Sequence, residues 1–234
     1  MVAGLKYINM CNNKVVMHMH PDLLVKVLAA MEPERIVTLD QFQAASGILS
    51  KSVAKSMIDF LAANSIGSIS KSTIKFSGCD RLYAAVIALQ MSCDIEQISR
   101  YLSWKDFEKL ASEVLRSFGY HTRTNVRLVK PRMEIDVVGT LTDGFTIAVD
   151  CKHWKRSNLS SITNFSQKQA ARSERLLKYD KKIHQVVPVM LTLHAESVML
   201  VGRVPLVPIH RFRSFIIDVK GFLPEIYVAA SGGS

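Results

Sequence analysis

The segment from residue 133 to residue 154 constrains the fold of this 234-residue chain more than any other. It reads MEIDVVGTLTDGFTIAVDCKHW, in which two apolar-rich stretches flank a Thr/Asp/Gly turn. This pattern predicts strands over residues 133–139 and 145–154, joined by a turn at 140–144. The sequence therefore predicts a β-hairpin at the centre of the second half of the chain.

The charged residues of this hairpin are predicted to share one face. Strand side chains alternate between two faces. Folding the hairpin about Asp143 sets Asp136 opposite Asp150 and Glu134 opposite Lys152. The other face would carry five residues suited to a core, namely Ile135, Val137, Ile147, Val149 and Cys151. We therefore expect one polar side and one core-facing side.

Two facing carboxylates restrict what the polar side can do. Like charges directly opposite each other destabilise a strand pair, so they must bind a cation, share a proton or be held apart. Mg²⁺ takes oxygen ligands, typically one or two carboxylates with water and substrate phosphate. The alternative is a solvated face on an edge hairpin, with Glu134 and Lys152 as a surface ion pair. The residues alone leave both interpretations open.

The acidic residues and the lysine of the hairpin match a known signature. Asp136, followed across the turn by Asp150-Cys151-Lys152, resembles the motif of PD-(D/E)XK nucleases. The phrase VDCKHWKR is similar to its form in Mrr-like restriction endonucleases. The chain departs from the usual pattern at the second acid, which is Asp150 instead of Glu or Gln.

The same family carries a glutamate on the helix before the first strand. The phrase FEKL at residues 107–110, followed by Gly119-Tyr120, matches the family's phrase there and makes Glu108 the counterpart. Helical spacing places Glu108 at the edge of an apolar stripe. A first-turn glutamate favoured by the helix dipole is the alternative. The resemblance extends over about residues 104–219.

The resemblance implies a fold, a reaction and a set of ligands. The implied fold is α/β, a mixed-sheet restriction-endonuclease-like core flanked by helices over residues 103–230. The implied function is a Mg²⁺-dependent endonuclease that hydrolyses phosphodiester bonds of duplex DNA, with Mn²⁺ as a substitute metal. The catalytic set would be Asp136, Asp150, Lys152 and Glu108. The metal ligands would be Asp136, Asp150 and the backbone carbonyl of Cys151, with Glu108 or Glu134 serving a second ion. RNA or branched DNA as the substrate, and an inactive DNA-binding regulator, stay open.

The patterns before and after the hairpin complete the predicted core. They predict a strand over 120–129, a helix over 162–179, two buried strands over 185–193 and 198–208, and a closing helix over 209–219. Residues 231–234, Ser-Gly-Gly-Ser, are expected to be a disordered tail.

Residues 1–102 are predicted to form a separate winged-helix-like domain. Three helices precede a small hairpin, which is the element order of that fold, and the third helix would be the recognition helix. The only basic residues of that helix are Lys51 and Lys55. Contact with DNA and contact with protein, including dimerisation, are both left open.

The charge of the chain favours a polyanionic partner. The sequence has 30 basic and 20 acidic residues, a net charge of +10. Residues 1–103 hold 10 basic and 8 acidic residues, so +8 of that charge falls on residues 104–234. Candidate phosphate contacts there are Arg123, Arg127, Lys155, Arg156, Lys168, Arg172 and Arg175. Charged edge strands and solvated helix faces are the alternative explanation.

Several other classes are disfavoured. The seven histidines and four cysteines lack paired metal-site spacing, and no Walker A or GxGxxG phrase occurs. The apolar runs are too short to cross a bilayer and no signal peptide is evident, so we expect a cytoplasmic protein without a membrane contact. A homodimer is expected, because two related sites cut two antiparallel strands most easily.

Overall fold

The computed structural model of the chain describes residues 21–70, 72–129, 131–152, 159–193 and 197–231. It divides into two compact units, Met1–Asp106 and Phe107–Ser234, called here the N-terminal and C-terminal units. The domain boundary expected between residues 102 and 103 remains a prediction.

The N-terminal unit combines helices with a three-stranded sheet of order β1-β3-β2. Its elements are α1 (Pro21–Ala30), β1 (Ile36–Thr38), α2 (Leu39–Ser46), α3 (Lys51–Ala63), β2 (Ser68–Ser70), β3 (Thr73–Lys75), α4 (Asp80–Gln90) and α5 (Ile95–Ser99). The three helices and the β2–β3 hairpin lie where the sequence predicts them. Strand β1 was not predicted, because three residues are too few to show an alternating pattern.

Capping residues fix the ends of α2 and the start of α3. The Thr38 hydroxyl accepts a hydrogen bond from the Gln41 N–H while the Gln41 side chain accepts one from the Thr38 N–H, which is a capping box. Helix α2 ends at Gly47, whose φ of 65° lies in the left-handed region. The Ser50 side chain caps α3 by accepting from the Val53 N–H.

The C-terminal unit is a mixed sheet with helices packed on it. Its elements, together with the helix that crosses the boundary, are α6 (Trp104–Ser117), β4 (His121–Leu128), β5 (Met133–Thr140), β6 (Phe145–Lys152), α7 (Leu159–Tyr179), β7 (Gln185–Thr192), β8 (Met199–Val201), β9 (Val204–Pro208), a 3₁₀ turn (Ile209–Arg211), α8 (Phe212–Asp218) and β10 (Ala229–Ala230). Within the described residues the sheet has seven strands, in the order β4-β5-β6-β7-β9-β8 with β10 against β7. Strands β4, β5 and β6 pair antiparallel, whereas β6–β7 and β7–β9 pair parallel. The predicted fold class is confirmed.

The hairpin of β5 and β6 adopts the predicted register. Val137 pairs with Val149 and Val138 with Ala148. The same register, extended by one residue, sets Asp136 opposite Asp150. At the turn Gly144 has a φ of 81°, and a Cβ there would meet the Lys182 carbonyl oxygen at 2.7 Å, so glycine is required.

The expectation of one polar face on this hairpin is wrong. Strands β5 and β6 lie inside the sheet, and both of their faces are covered. Val138 and Ala148 pack in one buried cluster with Leu176 of α7. On the other face, Gly139 lies against Leu115 of α6. The edge-hairpin alternative is therefore excluded as well, because the strands are sandwiched between two helices.

The alternation of β5 is broken beside Asp136. Ile135 and Val138 belong to the same buried cluster, although regular alternation would place them on opposite faces. The β4–β5 ladder skips the pair Asn125 and Asp136, and Asn125 has a φ of 52°. This irregularity lies where the acidic residue leaves the ladder.

The end of the sheet differs from the predicted strand over 198–208. That stretch is two strands, β8 and β9, because Gly202 and Arg203 have φ values of 56° and 66° and form a two-residue reversal. Val198, Met199 and Leu200 are exposed rather than buried.

The chain closes with elements shorter than predicted. The helix expected over 209–219 is a 3₁₀ turn followed by the seven-residue α8. Ser231 donates its N–H to the His184 carbonyl, so it is not part of a tail. The rest of the predicted tail, residues 232–234, lies outside the described residues. Among the described helices, none combines the length and apolarity that crossing a bilayer requires.

Candidate functional site

Asp150 and Lys152 lie two residues apart at the carboxyl end of β6, so their side chains share one face of the strand. The Lys152 Nζ lies 2.8 Å from Asp150 Oδ2. The Asp150 side chain is only 3% exposed, and that of Lys152 is 21% exposed. Because water screens this pair poorly, the contact is far stronger than a surface ion pair.

Asp136 completes the acidic pair from β5. Its Oδ2 accepts a hydrogen bond from the Cys151 N–H at 2.6 Å. Burial raises the pKa of Asp136, and the negative charge of Asp150 raises it further. The Cys151 N–H, Lys152 and Arg172 act in the opposite direction. Two mutually repelling carboxylates are thus held side by side, as predicted from the hairpin.

Arg172 of α7 also reaches this pair. Its Nη1 lies 3.0 Å from Asp150 Oδ1 and donates to the Gln169 Oε1 at 3.2 Å. The side chain is 21% exposed. We expected Arg172 on a basic ridge of the helix as a candidate phosphate contact; in the structure it contacts the acidic residue of β6.

The sequence did not single out Gln169 from its neighbour Gln167. Gln169 is fully buried, and its Nε2 donates to the Ala148 carbonyl at 2.9 Å. Gln167 is exposed. The available signal was helical spacing, because Gln169 lies two turns before Leu176, which packs on the sheet. The buried residues of this face are Ser166, Gln169, Ser173 and Leu176.

Glu108 is buried on α6, as its place beside the apolar stripe predicts. Its exposed fraction is 6%, and the stripe residues Phe107, Leu110, Ala111, Val114 and Leu115 are fully buried. Burial raises the pKa of the Cys151 thiol well above its ordinary value, and the charges of Asp136, Asp150 and Glu108 raise it further. Cys151 is therefore an inert thiol.

The structure does not gather Glu108 with the two aspartates as a ligand set. Strand alternation turns Cys151 toward α6, whereas Asp150 faces Arg172 of α7. No group of three or more His, Cys, Asp or Glu side chains able to hold a metal occurs in the part of the chain that the structure describes. The role of Glu108 stays a prediction.

Glu134 does not form the surface ion pair with Lys152 that the alternative interpretation proposed. It pairs with Arg127 across β4 and β5, and the Arg127 Nε lies 3.7 Å from Glu134 Oε1. Both side chains are largely exposed. That alternative considered the hairpin without its other neighbour, β4.

The remaining basic candidates are distributed unevenly. Arg123 forms an ion pair with Asp180 at 2.9 Å, and the Arg175 Nη2 donates to the Val129 carbonyl at 3.3 Å. The Lys168 Nζ lies 5.8 Å from the centre of the Phe165 ring. In the N-terminal unit, Lys51 pairs with Asp40 at 2.5 Å and Lys55 is exposed. Lys155 and Arg156 lie outside the described residues.

The residues fit a magnesium ion. Asp136 and Asp150 provide two hard oxygen donors side by side, which matches the one or two carboxylates that Mg²⁺ typically takes from a protein. Burial, and after it the charge of Asp150, raises the pKa of Asp136, so its ionised form is disfavoured in spite of the nearby Lys152 and Arg172. A divalent cation would supply further positive charge.

A protein-family model matches the segment that carries this site. Residues 99–175 match the model of the Mrr catalytic domain, described as a restriction endonuclease. The matched segment includes Glu108, Asp136, Asp150 and Lys152. It confirms the predicted relationship to the PD-(D/E)XK nuclease-like superfamily.

Other comparisons add little. A crystal structure titled as that of a protein of unknown function, AF1548, is 22% identical, with a TM-score of 0.28. The match covers 37% of this chain and 46% of that one, so this chain matches less than half of that protein. This likeness is too slight to inform either fold or function. No curated protein matches the chain.

Proposed function

We propose that this protein is a metal-dependent endonuclease that hydrolyses phosphodiester bonds of duplex DNA. The observation that carries the proposal is the buried contact of Lys152 with Asp150 beside Asp136, within a segment that matches restriction endonucleases. Burying several charges is costly, and proteins retain such clusters mostly where chemistry uses them.

The two aspartates and the backbone carbonyl of Cys151 would hold Mg²⁺, with Mn²⁺ as a substitute. The ion, when bound, polarises the scissile phosphate and lowers the pKa of the attacking water. Asp136 accepts the Cys151 N–H, so that peptide is oriented by the same carboxylate that would bind the metal. Glu108 would bind a second ion or position the first.

Lys152 would act on the attacking water and the scissile phosphate. Its ammonium lies at Asp150 and 5.1 Å from the centre of the Phe165 ring, so two contacts fix its position. From there it would orient the water and offset the charge that develops on the phosphate.

DNA would approach the site over basic residues for which the structure shows no ion pair with a carboxylate. Lys168 is exposed on α7 next to Lys152, and both ammonium groups lie over Phe165. Lys155 and Arg156 stay candidate phosphate contacts on their sequence position alone. Arg123 and Arg127 are weaker candidates, because each already pairs with a carboxylate.

The N-terminal unit would be a winged-helix domain. Its element order and its β1-β3-β2 sheet support this assignment. Lys51 pairs with Asp40 and Lys75 with Glu34, which leaves Lys55 as the better DNA contact on α3 and favours a partly protein-binding role. A homodimer in the cytoplasm remains part of the proposal.

One observation favours a second candidate, a DNA-binding regulator with an inactive nuclease fold. Both oxygens of Asp150 are engaged by cations of the chain itself, Lys152 on Oδ2 and Arg172 on Oδ1. Such a site could be neutralised without metal and keep only its basic surface.

Cleavage of supercoiled plasmid separates the two candidates. We expect nicking and linearisation with Mg²⁺ or Mn²⁺ and none with EDTA. Asp136→Asn and Asp150→Asn should abolish it, whereas Asp143→Asn, a control on the exposed turn of the same hairpin, should cleave normally. Metal-independent DNA binding without cleavage would contradict the nuclease and support the regulator. Methylated, single-stranded and branched DNA and RNA, tested alongside, would identify the preferred substrate.

A further inference from the structure

We propose that Arg172 is a further catalytic residue, which holds Asp150 before the metal binds and contacts the scissile phosphate afterwards. This inference rests on the proposed nuclease function. It concerns a residue of α7 that lies outside the hairpin carrying the family signature.

The contacts at Asp150 favour the movement of one cation when a metal binds. Lys152 contacts Oδ2 at 2.8 Å and Arg172 contacts Oδ1 at 3.0 Å, so each carboxylate oxygen already has a positive partner. Each oxygen keeps a second lone pair for a metal, but the side chain is only 3% exposed. The repulsion between a divalent ion and these two cations is relieved if one of the two contacts is given up.

Arg172 is the cation better suited to leave. Lys152 is tied to Asp150 by a two-residue separation on one strand and lies over the Phe165 ring. Arg172 arrives from a different element on a longer side chain. Its guanidinium has five N–H donors in a planar fork, so it can exchange a carboxylate for a phosphate without losing its other bonds.

Gln169 provides the fixed point for this exchange. Its Nε2 donates to the Ala148 carbonyl, which ties the amide to the sheet, and its Oε1 accepts from Arg172 at 3.2 Å. The guanidinium can therefore turn from Asp150 toward the open side of the site while one bond is kept. The side chain is 21% exposed, so part of it reaches solvent.

Electrostatics predicts that Arg172 has opposite effects on metal binding and on cleavage. A positive charge bound to Asp150 repels a divalent ion at the same carboxylate, so Arg172 opposes metal binding in the absence of DNA. The same charge stabilises the transition state, in which negative charge grows on the phosphate. Removing Arg172 should consequently tighten metal binding and slow cleavage. Removing a purely structural residue would weaken metal binding and also slow cleavage.

The test compares Arg172→Ala with Lys178→Ala, an exposed basic residue of the same helix. Calorimetry without DNA measures the Kd for Mn²⁺, and single-turnover assays at saturating Mn²⁺ and plasmid measure cleavage. For Arg172→Ala we expect a Kd lower by roughly tenfold and cleavage slower by roughly 100-fold. Lys178→Ala should match the wild type, and Arg172→Lys should lie between.

Three results would overturn the proposal in different ways. If Arg172→Ala binds Mn²⁺ and cleaves like the wild type, Arg172 has no role in the reaction. If it binds Mn²⁺ more weakly and cleaves more slowly, and its Tm falls, the residue is structural; Arg172→Gln then serves as the variant that retains packing. If the wild type neither binds Mn²⁺ nor cleaves, the nuclease function itself fails and takes this inference with it.

Discussion

Ion pairs in the two units of this protein differ in their surroundings. In the N-terminal unit Lys51–Asp40 and Lys75–Glu34 have side chains that are about half exposed or more. In the C-terminal unit Asp150 is 3% exposed and contacts two cations that are each 21% exposed. Surface pairs contribute about 0–1 kcal/mol and cost little to form. Buried charges pay a desolvation penalty of several kcal/mol each, so their retention calls for a function.

The largest expected effect comes from removing the carboxylate of the buried ion pairs, and it tests this comparison directly. Asp150→Ala leaves Lys152 and Arg172 without their carboxylate, and we expect the free energy of unfolding to fall by about 3 kcal/mol. That value is at the low end for a buried pair, because both cations reach water and the repulsion with Asp136 is relieved. Asp40→Ala should cost less than about 1 kcal/mol. Urea denaturation of the two variants measures the difference, and equal losses would contradict it.

A smaller effect is expected at the buried amide that supports Arg172. Gln169→Ala removes two hydrogen bonds of a buried side chain, one to the Ala148 carbonyl and one from Arg172, at a cost of about 2 kcal/mol. Gln167→Ala, two residues earlier and exposed, should change stability by less than about 0.5 kcal/mol. Thermal unfolding of both variants is the measurement. If Gln167→Ala destabilised the protein as much as Gln169→Ala, the assignment of the inner face of α7 would be wrong.

These two glutamines also show how far sequence reasoning goes. The hairpin register followed from alternating apolar residues and one obligatory turn glycine, both of which are local signals. The inner face of α7 is polar at Ser166, Gln169 and Ser173, so hydrophobic periodicity alone did not mark it.

Two other features depend on contacts that no single strand encodes. The broken alternation at Asp136 accompanies the left-handed backbone of Asn125 on the neighbouring strand. The β8–β9 reversal uses Arg203 at a φ of 66°, where glycine or asparagine is the usual signal. In contrast, the pairing of Asp136 with Asp150 was predictable, because both residues belong to one hairpin.

The smallest expected effect is a gain in stability, which we expect when the buried carboxylate of Asp136 is replaced by an amide. Because burial and Asp150 raise the pKa of Asp136 above its ordinary value of 3.8, the folded protein binds that proton more tightly than the unfolded chain. The wild type therefore loses stability relative to Asp136→Asn as the pH rises through the raised pKa. Near neutral pH we expect Asp136→Asn to be more stable than the wild type, with a higher Tm.

The control for this effect is the exposed turn residue Asp143. Asp143→Asn should leave Tm nearly unchanged at every pH, and the advantage of Asp136→Asn should vanish below the ordinary carboxyl pKa. An advantage that grew as the pH fell would show that the carboxylate of Asp136 is stabilised in the fold, contrary to its surroundings.

The most direct test of the account is the single-turnover cleavage rate of Lys152→Ala at saturating metal and DNA. The matched variant is Lys168→Ala, since both ammonium groups lie over the Phe165 ring. We expect Lys152→Ala to bind DNA but cleave it at least about 1,000-fold more slowly, and Lys168→Ala to stay within about threefold of the wild type once DNA is saturating. Cleavage by Lys152→Ala at the wild-type rate would contradict the assignment of Asp136, Asp150 and Lys152 as the catalytic centre.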